Sequence, residues 1–301
     1  MVQVQEALLV LLDTLLLVLK ILYDIALGIY RLCIPVEEKS VIGEIVLITG
    51  TGHGIGKELA LRYASLGAIV VCLDVNEEGN NETVNEINQN DTLKAYGYKE
   101  EVLKIAKKVK EEVGDVTILI NNAGIMPCFT FMSHTPEQIK RIFDINVLAH
   151  FWIFQAFLPS MIERNYGHIV ALSSIAGIIG QPNIVPYCAS KFAVRGLMES
   201  LYEELRSMNK EKPLNINFTT VYPYMVNTGL CKNPCYRFKN VMSLVSTKQA
   251  VDIIVKAQRQ NTKEISIPTY WHHINTIIRC MPSTCIDRIR DFMNAGLKAE
   301  C

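Results

Sequence analysis

Between residues 44 and 268 the chain repeats one alternation, a short apolar run followed by a stretch of helical periodicity. The runs are "EIVLITG" at 44–50, "AIVVCLD" at 68–74, "VTILINNAG" at 116–124, "GHIVALSS" at 167–174, "LNINFTTVYP" at 214–223 and "EISIP" at 264–268. A strand buried on both faces reads as an unbroken apolar run. A parallel neighbour needs a crossover of a dozen or more residues, usually a helix. The pattern therefore predicts one α/β domain, a doubly wound parallel sheet with helices on both faces. No internal repeat or low-complexity tract interrupts it.

The ends of the chain divide from that core. Residues 1–36 are predicted as a hydrophobic anchor helix, residues 37–270 as the sheet domain and residues 271–301 as an amphipathic tail. From Ala7 to Pro35 the sequence is rich in Leu, Ile and Val, yet it carries Glu6, Asp13, Lys20, Asp24 and Arg31. At ~100° per residue these five share a stripe about 40° wide. A narrow charged stripe on an apolar cylinder fits a helix lying in one leaflet, stripe at the headgroups, better than a span with buried charges. A tilted span whose stripe faces a partner helix is the alternative. In the tail, Ile286, Ile289, Met293 and Leu297 are placed on one side of a helix, with Arg288, Arg290 and Lys298 elsewhere. Such a helix serves a membrane surface or substrate loop, or a dimer or core contact.

Lys+Arg and Asp+Glu number 30 each. Nothing global points to a nucleic-acid partner. The nine cysteines include no CxxC pair; they read as reduced thiols, and no metal site is expected.

The first apolar run ends in "TGTGHGIG", with Gly50, Gly54 and Gly56 between a strand and a helix. Glycines there permit a tight turn and let a pyrophosphate approach the N–H groups of a helix N-terminus, in which Ile55 takes part. This is the loop of a Rossmann-type sheet. The next strand ends in Asp74, where an acid would accept hydrogen bonds from both adenosine ribose hydroxyls and repel a 2′-phosphate, favouring NAD over NADP. Capping of the next turn is the alternative use of Asp74.

In "VPYCASKFAVRG", Tyr187 and Lys191 stand four apart, on one face of a helix. A free phenol titrates near pH 10, and a neighbouring lysine charge would favour the phenolate; reaching ~7 would take about 4 kcal/mol of differential stabilisation. Ahead of this pair come "NNAG" at 121–124, Asn146 in "FDINVLAHF" and Ser174, thirteen residues before the tyrosine. The ordered set TGxxxGxG, NNAG, Asn, Ser, YxxxK resembles the short-chain dehydrogenase/reductase family over roughly residues 41–270. Within it, "GEIVLITGTGHGIG", "LPSMIERNYGHIV" and the greasy N-terminal helix resemble the membrane-associated branch of 17-beta-hydroxysteroid dehydrogenases types 11 and 13 and epidermal retinol dehydrogenase 2.

The resemblance implies an NAD-dependent oxidoreductase acting on a lipophilic alcohol at the endoplasmic reticulum or lipid droplet, its catalytic domain facing the cytosol, and dimers through two long helices. It makes Tyr187 the general base, Lys191 the holder of the nicotinamide ribose, Ser174 the orienting hydroxyl and Asn146 the anchor of a relay water. Ser173 is then structural. Asn122, Ala123 and Gly124 would line the adenosine side, while Pro223 and Thr228 would contact the nicotinamide. Two departures stand out. Tyr224 replaces the family's usual glycine after the proline. The chain also passes from Tyr98-Lys99 straight into a helix, without the short acidic element that touches the adenine amine. That gap supports the competing reading of a catalytically weak membrane scaffold; the complete Asn146/Ser174/Tyr187/Lys191 set opposes it.

Overall fold

In the computed structural model the described residues are 2–34, 36–90, 92–98, 102–208, 214–231, 234–235, 237, 244–293 and 296–298. Two units are described separately, residues 1–39 and 40–301.

The first unit is the helix α1 (Val2–Cys33). Its leucines are open along its length, Leu8, Leu9, Leu11 and Leu15 among them. Contiguous outward apolar surface of this extent is what marks interaction surfaces on proteins.

The second unit runs β1 (Ile45–Thr49), α2 (Gly54–Ser65), β2 (Ile69–Leu73), α3 (Glu77–Asn88), β3 (Lys94–Tyr98), α4 (Val102–Glu112) and β4 (Ile118–Asn121). Next are α5 (Pro136–Phe143), a π-helical turn at Asp144–Leu148, α6 (Ala149–Arg164), β5 (Gly167–Leu172), α7 (Val185–Met208) and β6 (Ile216–Pro223). It closes with β7 (Pro234–Cys235), α8 (Thr247–Arg259), β8 (Glu264–Ile267), α9 (Tyr270–Arg279), α10 (Ser283–Met293) and β9 (Gly296–Leu297). Seven strands form one sheet in the order β3-β2-β1-β4-β5-β6-β8, every pairing parallel. This is the doubly wound Rossmann-type sheet that the sequence predicts.

Period-two alternation explains why both faces are covered. Val46 and Ile48 of β1 go to one layer with Leu59 and Tyr63 of α2 and Ile254 of α8. Leu47, between them, goes to the other layer with Ile105 of α4, Phe157 of α6 and Met198 of α7. Ile118 and Ile120 against Leu119 in β4 repeat the division. Burying each such side chain is worth about 1.5–3 kcal/mol, so any one-residue register slip would merely exchange one apolar set for another. What pins the register is polar.

Asn80 of α3 donates to Cys72 O and Tyr98 O at 3.2 and 3.3 Å and accepts from Thr51 Oγ1 at 2.6 Å. One buried amide thus joins β2, β3 and the loop after β1. The connection whose shortening the sequence raised, residues 99–101, lies outside the described residues.

The tail departs from the sequence reading in one respect. α10 contains Ile286, Ile289 and Met293, but Leu297 has left the helix and pairs, in β9, antiparallel to β7. Asn183 donates to Leu297 O at 2.7 Å, which fixes this last turn of chain against the loop before α7.

Candidate active site

All the elements that converge do so at the C-terminal ends of β1, β4, β5 and β6, where a doubly wound sheet opens its crevice. Gly50 leaves β1 with φ +75°, a conformation that favours glycine. A Cβ on Gly56 would stand 1.9 Å from Gly50 O, so the first turn of α2 lies directly on the loop. His53 at the helix N-cap supplies no side-chain bond, leaving the first-turn N–H groups unspent.

Asn122 stitches this loop to β4. Its Nδ2 donates to Thr49 O at 2.9 Å and Gly50 O at 3.3 Å, while the N–H groups of Asn122 and Ala123 both donate to Thr49 Oγ1 at 3.0 Å. Asp74, at the end of β2, accepts from Gly52 N at 2.7 Å and Asn76 N at 2.8 Å. It therefore orients the glycine loop as well as capping its own turn, and stays half-buried.

The other side is built on β5 and α7. Ser174 accepts from Ala176 N at 3.1 Å and donates to Pro223 O at 3.3 Å. Ser173, beside it, donates to Lys191 O at 2.8 Å and serves the backbone. Tyr187 is 6% exposed and Lys191 4%. The Lys191 Nζ donates to Leu172 O at 2.7 Å and lies 5.7 Å from the centre of the Tyr187 ring. Burial drives the two in opposite directions. It pushes the Tyr187 phenol up to about 12, against a hydrogen bond with Ser174 that pulls it back, and pushes Lys191 down to about 8. Burial is the larger cause at Tyr187, and the Ser174 hydroxyl opposes it.

Asn146 sits on the π-helical turn, where an extra residue per turn aims it inward. Its Nδ2 donates to Ile125 O and Ser190 Oγ, and its Oδ1 accepts from Ile125 N at 2.8 Å. It clamps the segment after NNAG against Ser190 of α7, and both its N–H groups are spent in doing so. Gly124 leaves room between Asn146 Oδ1 and Lys191 Nζ, each about 3.5 Å from where a Cβ would be.

Together these groups surround one open cleft. Gly50, Gly54, Ile55, Asn122, Ala123, Gly124, Ser174, Tyr187, Lys191, Pro223 and Thr228 all line it. Gly56, Asp74 and Asn146 stand behind the wall and shape it. Sequence reasoning missed two contributors. Leu297 arrives from the far tail and has no local signal. His150 is 2% exposed, and burial, helped by the Lys191 charge, drives its imidazole down to about 3. Its spacing of one helical turn from Asn146 was the available signal.

Sheet, glycine loop and buried Tyr/Lys pair define an oxidoreductase of Rossmann type. The short chain dehydrogenase family pattern matches residues 44–234. Human 17-beta-hydroxysteroid dehydrogenase 13 is 40% identical over 275 residues, 90% of this chain and 89% of that protein. Mouse epidermal retinol dehydrogenase 2 is 38% identical over 261 residues, 85% and 84% of the two chains. A short-chain dehydrogenase from Burkholderia phymatum, solved in complex with NAD, superposes with a TM-score of 0.67 at 25% identity, covering 75% of this chain and 89% of that one. The chain belongs to the short-chain dehydrogenase/reductase family.

The Ser174 bond to the phenol carries a pH signature. Wherever Tyr187 works as a base, log kcat/KM for alcohol oxidation rises with pH, because the deprotonated fraction grows towards a high pKa. Ser174→Ala removes the group that lowers that pKa, so the rising limb moves to higher pH and the rate at neutral pH falls about 10²-fold or more. A pH–rate profile in which the variant limb stays at the wild-type position contradicts this assignment.

Proposed function

We propose that the chain is an NAD-dependent dehydrogenase that oxidises the hydroxyl of a lipophilic alcohol, held at a membrane or lipid-droplet surface by α1. The observation that carries the reading is the meeting of two halves in one cleft, the glycine loop with Asp74 behind it and the buried Ser174/Tyr187/Lys191 set.

The residues present fit a dinucleotide. The uncapped first turn of α2 and the side-chain-free surface of Gly50 and Gly54 suit a pyrophosphate. Asp74 keeps acceptor capacity beyond its two backbone bonds for the ribose hydroxyls of NAD and would repel the 2′-phosphate of NADP. Ala123 and Gly124 lie on the adenosine side, Pro223 and Thr228 on the nicotinamide side. When bound, NAD supplies the hydride acceptor.

The chain's own residues manage the proton. Ser174 turns its one O–H from Pro223 O to the Tyr187 oxygen, favouring the phenolate, and then to the substrate oxygen once Tyr187 has taken the proton. Tyr187 takes the hydroxyl proton. Lys191, largely charged at neutral pH with a pKa near 8, is held by Leu172 O beside Tyr187 and within reach of the nicotinamide ribose. Asn146 keeps the Ile125 segment in place under them, and a relay water at this turn would rest on its remaining acceptor and on main-chain groups. Burial that raises Tyr187 also makes it a competent acid in the reverse direction.

Steroid 17-beta-hydroxyl, retinol or a related lipid alcohol is the substrate class, supported by the relatives' names and by the apolar lining near Tyr187. The scaffold alternative rests only on the short connection after Tyr98. α1, wrapped in outward leucines and striped with Asp13, Lys20, Asp24 and Arg31, supports placement in one leaflet facing the cytosol of the endoplasmic reticulum.

Two outcomes test the reading. Tyr187→Phe in the purified full chain should lower alcohol oxidation about 10³-fold or more while NADH titrates as in wild type. Turnover at the wild-type rate would remove Tyr187 from the chemistry. In a flotation gradient with phospholipid vesicles, the full chain should rise with the vesicles and a chain lacking residues 1–36 should stay at the bottom; co-flotation of both would show that α1 is not the anchor.

A further inference from the structure

A second cleft lies beside the first. Its walls are Ile178 and Ile179 from the loop after β5, Trp271 and Ile278 from α9, and Ile286 and Ile289 from α10. Three residues, Ile175, Gln181 and Tyr224, line both spaces. The two therefore meet at a waist formed by a β5 loop and the residue after β6.

We infer that the substrate is an extended single-chain lipid alcohol, its hydroxyl at Tyr187 and its hydrocarbon chain threaded through the Ile175/Gln181/Tyr224 waist into this second cleft. The inference deepens the dehydrogenase reading and rests on it.

Four observations converge. The residues that would face a dinucleotide make up much of the first cleft's lining, so a bound dinucleotide shares that space with the substrate. The second cleft draws aliphatic and aromatic groups from separate elements, alongside Asn275, Arg279, Arg290 and Asp291, the largely apolar lining with a few polar groups that ligand pockets share. The walls are tied together. Tyr224 packs on Trp271 with ring centres 5.5 Å apart, and Arg279 of α9 donates to Ile178 O, so the space is preformed. Finally, the two clefts share Ile175, Gln181 and Tyr224, and a flexible chain can bend from one to the other past these residues where a rigid fused-ring plate cannot. Tyr224 acquires a role here: its ring is one jamb of the passage. The tail helix α10, which the sequence left open between a membrane-surface or substrate-loop helix and a dimer or core helix, is assigned to the substrate.

Each methylene drawn into such a space is worth up to about fourfold in affinity, so the reaction should be graded by chain length. The test uses the full chain in lipid nanodiscs with NAD, 1-hexadecanol and 1-hexanol. Wild type should show kcat/KM at least about 100-fold higher for hexadecanol. Filling opposite walls with Ile179→Phe and Ile289→Phe together should lower the hexadecanol value about tenfold or more and leave hexanol within about twofold. Equal values for the two alcohols in wild type, or an equal loss for both in the variant, overturns the inference.

A binding readout separates this from failure of the dehydrogenase reading. Trp152→Phe leaves Trp271 as the sole tryptophan. Saturable quenching of Trp271 by 16-bromohexadecanol, reversed by excess 1-hexadecanol and not by 1-hexanol, supports the chain site even if neither alcohol is oxidised. Quenching that is absent, or that hexanol reverses equally well, overturns it.

Discussion

The close seating of α2 on the loop after β1 is the constraint on which the rest of the molecule depends. Gly50 and Gly56 meet so tightly that a single methyl on Gly56 would fall 1.9 Å from a carbonyl oxygen. Asn122 locks the same loop to the end of β4, and Asp74 locks it to the end of β2. Three neighbouring strands therefore share one turn of chain. That turn places the uncapped N-terminus of α2, with its partial positive charge, at the mouth of the crevice. The apolar layers on either side of the sheet supply the stability, but they tolerate exchange; the polar stitches decide where the crevice opens and how wide it is.

The opposite wall works by withholding water. Tyr187, Lys191 and His150 are all buried, and burial moves each towards its neutral form. A phenol pushed up to about 12 beside an ammonium pushed down to about 8 leaves the Ser174 hydrogen bond as the main group drawing the phenol towards ionisation. Neutral His150, one turn from Asn146, adds no competing positive charge beside Lys191. Low dielectric then makes each remaining dipole count for more than it would in water. Under the proposed reaction the chemistry would fall on Ser174, Tyr187 and Lys191, while Asn146 and Ser173 hold the backbone around them.

The sheet was legible because its code is local. Apolar runs at 44–50, 68–74 and 167–174 each contain the strand found there, and the glycine loop and YxxxK helix depend on spacings within one turn of chain. Asn122 and Asp74 were legible as site residues but not as stitches, since their partners Thr49 and Gly52 lie 73 and 22 residues away. The sign of the Tyr187 shift was not legible: sequence shows that a lysine is near, and not that both groups are sealed from solvent. Leu297 was misplaced because helical periodicity extends smoothly from Ile286 past Met293, while the bond from Asn183 that pulls the chain out of the helix is 114 residues distant. The second cleft, assembled from residues 175 to 293, has no signature in any single stretch.

The glycine loop and Asp74 form the site for NAD on which the rest turns. Calorimetric titration of the intact, detergent-solubilised chain with NADH and separately with NADPH reads that site. NADH should bind in the micromolar range and NADPH about tenfold or more weaker. Equal or tighter binding of NADPH would contradict the role of Asp74, and binding of neither would contradict the dehydrogenase reading itself.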